Sequence, residues 1–411
     1  MLRTISRISF VEFGFLFAIF MAPWGPVLRY LGWLFAFIGL AIDLRKGKSF
    51  HGRLDSIFSN LLLLFLFWAF ISTSLSKHDL YSWGKGISLA IEFAFSIWLA
   101  AYILNEQGAL IRWKYIWTIS IVLSLSHLFL GKILPIGKEL FSNVNTTGIY
   151  ACIIVPFVLS LFLENNNKYS EHLFAFLFWS SFLTLIISFS SAAWVSTGVA
   201  LFVQLLLSRI PIKKIKILAV SFSCYVVVAF MFLALFRPSL GMEFIRLFQR
   251  EILQLQSINN LDSFSTHRVY IWKGALNLIK NKPILGWGWG DFSHAFAQIN
   301  ASWWVTAVTG LTLHRDDAHS MYLNLAIYGG IPTTFFVLAI YFRAAWLAFK
   351  KGFKQDRYLY YAIVASAIGQ LIYSIAGDMF SFRFKGAILF WTLLGVSAAK
   401  KCINDTEVLF P

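Results

Sequence analysis

Residues 217–236, ILAVSFSCYVVVAFMFLALF, run for twenty positions without a charged side chain. A helix needs about 17–25 apolar residues to cross the hydrocarbon core of a bilayer. The run stops at Arg237, and no comparable run begins again until Tyr322. A long apolar stretch followed by a long polar interruption sets the reading of the whole chain: membrane segments arranged around one loop.

Working outward, similar runs lie toward the N-terminus at about 8–24, from 27 onward, and at about 57–75, 87–104, 115–130, 147–163, 173–189 and 194–207. Toward the C-terminus they lie at about 322–342, 359–375 and 387–399. The expectation is an all-α, polytopic membrane protein with about twelve transmembrane helices. It divides into residues 1–236 (helices one to nine), 237–321 (the loop) and 322–411 (helices ten to twelve and a short tail). Composition agrees: 58% of the 411 residues are apolar and only 13% are charged, against about 25% charged in soluble domains. The basic start MLRTISR before an apolar run is similar to the front of a signal peptide. No small-x-small cleavage site follows, and a second run begins at once after the Pro23–Pro26 turn, so both runs read as retained segments.

Charge sets the orientation. With the N-terminus in the cytoplasm, 20 of the 35 basic residues fall on inward connectors and tails, among them Arg45, Lys46, Lys48 and Arg53 in one connector. That bias follows the positive-inside rule. The net charge of +16 is therefore mainly a topological signal, with some attraction to anionic lipid headgroups, and does not point to nucleic acid. Both termini are expected in the cytoplasm and the large loop outside, which in a bacterium is the periplasm. Cys152 and Cys224 lie in apolar runs and Cys402 in the tail, giving neither a disulfide framework nor a metal cluster. Glu92 and His127 are ionisable groups inside segments, for which local pairing is the expectation.

The loop holds four of the eight histidines and five of the sixteen tryptophans. Residues 244–255 place Ile245, Phe248 and Ile252 on one side of a helix, with Arg246, Arg250 and Glu251 elsewhere. This suits an amphipathic helix on the membrane surface. Residues 267–280 form a second one, with Ser265 or Thr266 as N-cap and Pro283 forbidding continuation. GWGWGDF (286–292) then supplies glycines for tight turns and tryptophans suited to an interface. There is no P-loop, no G-x-S-x-G elbow, no H-E-x-x-H and no zinc spacing. HRDDAH (314–319) could hold a divalent cation, but solvation and helix capping account for its charges as well.

The segments HRVYIWKGALNLIKNKPILGWGWGDF (267–292) and DDAHSMYLNLAIYGGIPTTF (316–335) resemble the O-antigen ligase and polymerase family. The family pattern is an Arg-bearing helix, a Pro, a G-x-G stretch, then a His at the outer end of a span with a Gly pair after it. Here these are Arg268, Pro283, Gly286 and Gly288, and His319. LFSNVNTTGIY (140–150) is similar to the family's Asn-Pro-Asn element, with Val144 in place of Pro between Asn143 and Asn145. One departure stands out: SFSSAAW (188–194) has Ser191 where the family often carries an Arg. Arg315, Arg246, Arg250 and Arg383 are the outer-face cations available to replace it.

The resemblance implies transfer of a glycan from undecaprenyl diphosphate to an acceptor hydroxyl, with no cofactor and no metal required. Arg268 would hold the diphosphate and His319 would deprotonate the acceptor, with inversion; Arg315, Asp317 and Tyr322 would bind substrate or orient His319. The ligase reading, with lipid A core as acceptor in lipopolysaccharide biosynthesis, is preferred because a single outer loop dominates. The alternative is a polymerase extending a lipid-linked glycan. A transporter or flippase would show broken segments at matching depths in two halves, and the segments here are mostly unbroken. Each residue also has a plainer role available: His319 can cap helix ten, Arg268 can face lipid phosphates, and Trp287, Trp289, Trp303 and Trp304 can form a membrane belt. Asp378 and Arg383 can pair with each other or join the far wall of the site.

Overall fold

The computed structural model describes residues 8–22, 26–48, 53–76, 80–106, 108–130, 144–236, 268–289, 317–355, 357–380 and 387–400, with short pieces between 245 and 256 and at 292 and 295–296. Among the described residues nine helices precede the loop: α1 (Phe10–Met21), α2 (Pro26–Arg45), α3 (Ser56–Leu75), α4 (Leu80–Ile103), α5 (Ala109–Leu130), α6 (Val144–Glu164), α7 (Lys168–Ile187), α8 (Ser191–Ser208) and α9 (Ile212–Phe236). Within the loop is α10 (Arg268–Asn281), and after it come α11 (Met321–Gln355), α12 (Tyr358–Tyr373) and α13 (Ala387–Ala398). Each expected apolar run falls on one of these helices.

Seven helices among the described residues are long and apolar enough to cross a membrane, and α1, α12 and α13 are shorter apolar helices. At about 1.5 Å per residue, α13 spans only about 18 Å. Every one of its residues is buried, so its backbone is shielded by protein along its whole length. Short polar side chains start several helices as N-caps. Ser9 accepts from the Glu12 amide (3.2 Å) and Asp55 from that of Phe58 (3.0 Å), satisfying N–H groups that a helix leaves open.

Buried and half-buried ion pairs gather where the basic connectors join the helices. Glu12 meets Arg112 at 2.6 Å, Asp55 meets Arg343 at 2.7 Å, and Lys214 meets Glu171 at 2.6 Å. Glu164 pairs with Lys114 and also accepts the Leu359 amide at the start of α12 (3.0 Å). Pairing is what allows charges to sit in a low-dielectric interior. The expected local pairing of Glu92 is also found: Arg29 lies 3.1 Å away and the Trp33 indole donates to it at 3.2 Å. The His127 side chain lies outside the described residues.

Segment ten departs from the single span expected at 322–342. Gly329 (φ −131°, ψ 22°) and Gly330 (φ 75°, ψ 177°) interrupt α11. In a straight helix residues 322 and 334 would sit about 18 Å apart. Instead the Thr334 hydroxyl reaches the Tyr322 carbonyl at 3.4 Å, and the Tyr341 hydroxyl lies 4.0 Å from the Met321 sulfur. So α11 is a hairpin, with a short arm at 321–328 folded back on a long arm at 331–355.

The turn after α10 plugs that reversal. Trp287 and Gly288 donate their amides to the carbonyls of Ile327 (2.6 Å) and Tyr328 (2.9 Å), and Ile331 donates to Pro283 (2.8 Å). From α3, the Trp68 indole donates to the Gly329 carbonyl (2.7 Å) and the Ser72 hydroxyl to those of Leu285 (2.6 Å) and Tyr328 (3.0 Å). Irregular backbone at membrane level needs this kind of internal satisfaction. Gly286 (φ 68°) and Gly330 allow the approach: a Cβ on Gly286 would lie 2.5 Å from the Ile327 oxygen, and one on Gly330 would run into the Ile284 carbonyl.

Candidate active site

His319 stands two residues before the start of the short arm, in a left-handed backbone conformation (φ 49°). Such a φ is uncommon outside glycine and needs surrounding contacts to hold it. Those contacts come from every side. The Asp317 carboxylate accepts the His319 amide at 2.7 Å, and Asn324 reaches back from the short arm to accept the Ala318 amide at 2.8 Å. The Trp272 indole of α10 donates to the Ala318 carbonyl at 3.1 Å. The Met321 amide is taken by the carbonyls of Ser374 (3.0 Å) and Gly377 (2.9 Å) beyond α12.

The same Asp317 oxygen lies 3.1 Å from Nδ1 of His319. An ionised carboxylate there keeps the proton on Nδ1, which leaves Nε2 as the basic nitrogen. The His319 side chain is 31% exposed and that of Asp317 14%, so the imidazole is supported on one side and reachable on the other. Asp317 is thus turned toward His319, while the first amide of the short arm is satisfied by the end of α12.

Asp378 forms the wall behind this turn. It is 6% exposed, and its two oxygens accept from the Asn324 amide (2.6 Å) and the Phe380 backbone (2.8 Å). Burial, and then the charge of Asp317, push its carboxyl up to about 7 against these two hydrogen bonds. Asp378 lies against the His319 turn through Asn324, and Arg383, the partner that sequence offers it, lies outside the described residues.

Arg268 is the first residue of α10, one turn before Trp272 and on the same face. It and Asp317 are both within electrostatic reach of Tyr373, the last residue of α12. The Tyr373 hydroxyl donates to the Asn145 carbonyl at 3.2 Å, joining the start of α6 to this edge. The start of α8 adjoins it as well, since a Cβ on Gly148 would lie 3.0 Å from Ser190 Cβ. Arg268 and Asp317 thus both lie near Tyr373, at the edge where the starts of α6 and α10 adjoin the end of α12. Tyr322 is nearby, but its hydroxyl donates to the Leu371 carbonyl and anchors the short arm to α12. Arg315, Asn143, His314, Asp316, Trp303 and Trp304 lie outside the described residues.

Two tryptophans correct the membrane-belt reading. Trp289 is fully buried, with Phe65, Tyr328 and Phe380 around it at 5.5, 5.8 and 5.9 Å between ring centroids. Trp287 donates to the Leu278 carbonyl at 3.0 Å and carries the Lys282 ammonium over its ring. Both pack the plug against the bundle. Sequence reading missed Asn324 and Tyr373. A single Asn inside the apolar run 321–328 was the available signal, because a polar side chain at that depth needs a partner.

A family model described as O-antigen ligase matches residues 176–338. Over that stretch the chain is similar to the O-antigen ligase family. The matched stretch begins in α7, takes in Ser191, α10, the plug and the His319 turn, and ends in the long arm of α11. No curated protein matches the chain. That family similarity supports, at a coarse level, a membrane glycosyltransferase-like enzyme acting on a lipid-linked glycan and a lipid acceptor.

Proposed function

We propose that this protein transfers a glycan from undecaprenyl diphosphate to a sugar hydroxyl of lipid A core, on the periplasmic face of the bacterial inner membrane. The observation that carries the reading is the Asp317–His319 pair at 3.1 Å, on a turn that the Arg268 helix grips through Trp272.

The acceptor hydroxyl gives its proton to Nε2 of His319 as its oxygen bonds to the anomeric carbon. The bond from that carbon to the diphosphate oxygen breaks, and the diphosphate leaves with the electron pair. Attack from the opposite side inverts the anomeric centre. Arg268, always protonated and able to bind phosphate in bidentate fashion, holds the leaving group. Asp317 stabilises the imidazolium. Arginine supplies the positive charge, so the reaction needs no metal and no cofactor; Arg315 is the candidate second cation in place of the family Arg absent at Ser191. A lipid donor also requires a site open to the bilayer at its outer surface.

Twelve crossings with both termini cytoplasmic agree with the basic connectors and with the ion pairs gathered beside them. Purified protein reconstituted with an undecaprenyl diphosphate-linked glycan tests the reading, with rough core lipopolysaccharide or a second lipid-linked glycan as acceptor and EDTA present. Glycan on lipid A core in the wild type, and its absence in His319→Ala and Arg268→Ala, is the expected result. Longer lipid-linked chains instead would make the protein a polymerase. Full activity of His319→Ala would overturn the general-base assignment with either acceptor.

A further inference from the structure

A cavity of about 350 Å³ lies between the outer end of α3 and the turn after α10, lined by Leu75, Ser76 and residues 282–286. The transfer chemistry makes no use of it. Its walls are mostly apolar, with Leu75 and Ile284 60% and 62% exposed beside it. They are also held in place: the Ser72 hydroxyl ties α3 to the Leu285 carbonyl at 2.6 Å, and the Gly286 amide closes the turn on the Lys282 carbonyl at 3.2 Å. Lys282, the cation among the lining residues, holds its ammonium 4.1 Å from the centre of the Trp287 ring. That ring is fixed in turn by its bond to Leu278.

We propose that this groove binds one anionic phospholipid, its acyl chain along Leu75 and Ile284 and its phosphate at Lys282. A preformed apolar trough with one fixed cation at its edge complements an amphiphile with a negative head. A peptide strand would find too few polar partners there for its backbone. The volume lies near the lower end of ligand pockets, roughly 300–1,000 Å³, which suits one acyl chain. The segment this lipid would grip is the plug of the α11 reversal, so occupancy would brace the backbone that holds the His319 turn. The inference stands independently of the transfer reaction.

Native mass spectrometry of the full chain in detergent tests it, with titration by dioleoylphosphatidylglycerol or dioleoylphosphatidylcholine. The wild type is expected to take up its first phosphatidylglycerol at about fivefold lower concentration than phosphatidylcholine, the effect of one lysine near an anionic head. Lys282→Gln should remove that preference, and Lys273→Gln, on the exposed side of α10, should keep it. Equal uptake of the two lipids by the wild type, or a preference surviving in Lys282→Gln, would overturn the site. Displacement of the bound phosphatidylglycerol by an equimolar soluble polyprenyl diphosphate would overturn the phospholipid assignment and make the groove part of the donor's path.

Discussion

Asn324, wholly buried in the short arm of α11, donates its side-chain amide to Asp378 at 2.6 Å while its carbonyl accepts the Ala318 amide at 2.8 Å. One residue thus joins the backbone next to His319 to the segment beyond α12. Replacing it with Ala leaves two buried polar groups without partners, each costing about 1–3 kcal/mol. Asn324→Ala is expected to unfold at clearly lower temperature in detergent and to lose transfer activity. A melting point within a degree of the wild type would show that the link carries no strain.

Asp378 makes stability depend on pH. Its carboxyl sits at about 7 in the folded protein against 3.8 in an unfolded chain. The folded state therefore holds a proton that the unfolded state releases. The stability from that proton is complete below about pH 4, is lost as pH rises toward about 7, and is constant above that. The thermal midpoint in detergent should fall from pH 5 to pH 7 and then level off. Asp378→Asn should give a lower but flatter profile, because its amide would face the Asn324 amide donor.

Asp317→Asn keeps the shape of the His319 turn but removes the charge that supports the imidazolium. Loss of such an orienting partner typically costs about 10–100-fold. The expected outcome is a fall of that size in the transfer rate constant, with little change in acceptor KM. A purely structural role would lower the amount of folded protein and leave the rate per folded molecule unchanged.

Gly330→Ala places a methyl group into the Ile284 carbonyl at a positive φ. Strain of about 1–3 kcal/mol from the backbone alone is expected, with the overlap in addition. Folded yield should fall sharply. Gly198→Ala, where a Cβ would meet nothing within 4 Å, is the matched control and should be neutral or slightly stabilising.

Most of the helical order was legible because a bilayer writes itself into composition: a crossing needs a run such as 217–236. The pairing of Asp317 with His319 was within reach for the same local reason, since two residues apart at a helix start they can meet. The reversal of α11 was hidden, because hydropathy measures burial and not direction, and 322–342 reads as one apolar run through Gly329 and Gly330. Trp289 misled because an aromatic beside glycines suits an interface as well as a core. Asn324 and Tyr373 each depend on a neighbour far away in sequence, Asp378 for one and Asn145 for the other.

The plug and the reversed helix are joined in register, by Trp287 to Ile327, Gly288 to Tyr328 and Ile331 to Pro283. These bonds involve backbone alone, so what they constrain is spacing. Side chains between 283 and 286 can change, while the number of residues from 283 to 288 cannot. A single inserted or deleted residue there would put the Trp287 and Gly288 bonds out of register with the Ile331–Pro283 bond. This part of the loop is a measured length of chain, cut to fit the gap in α11.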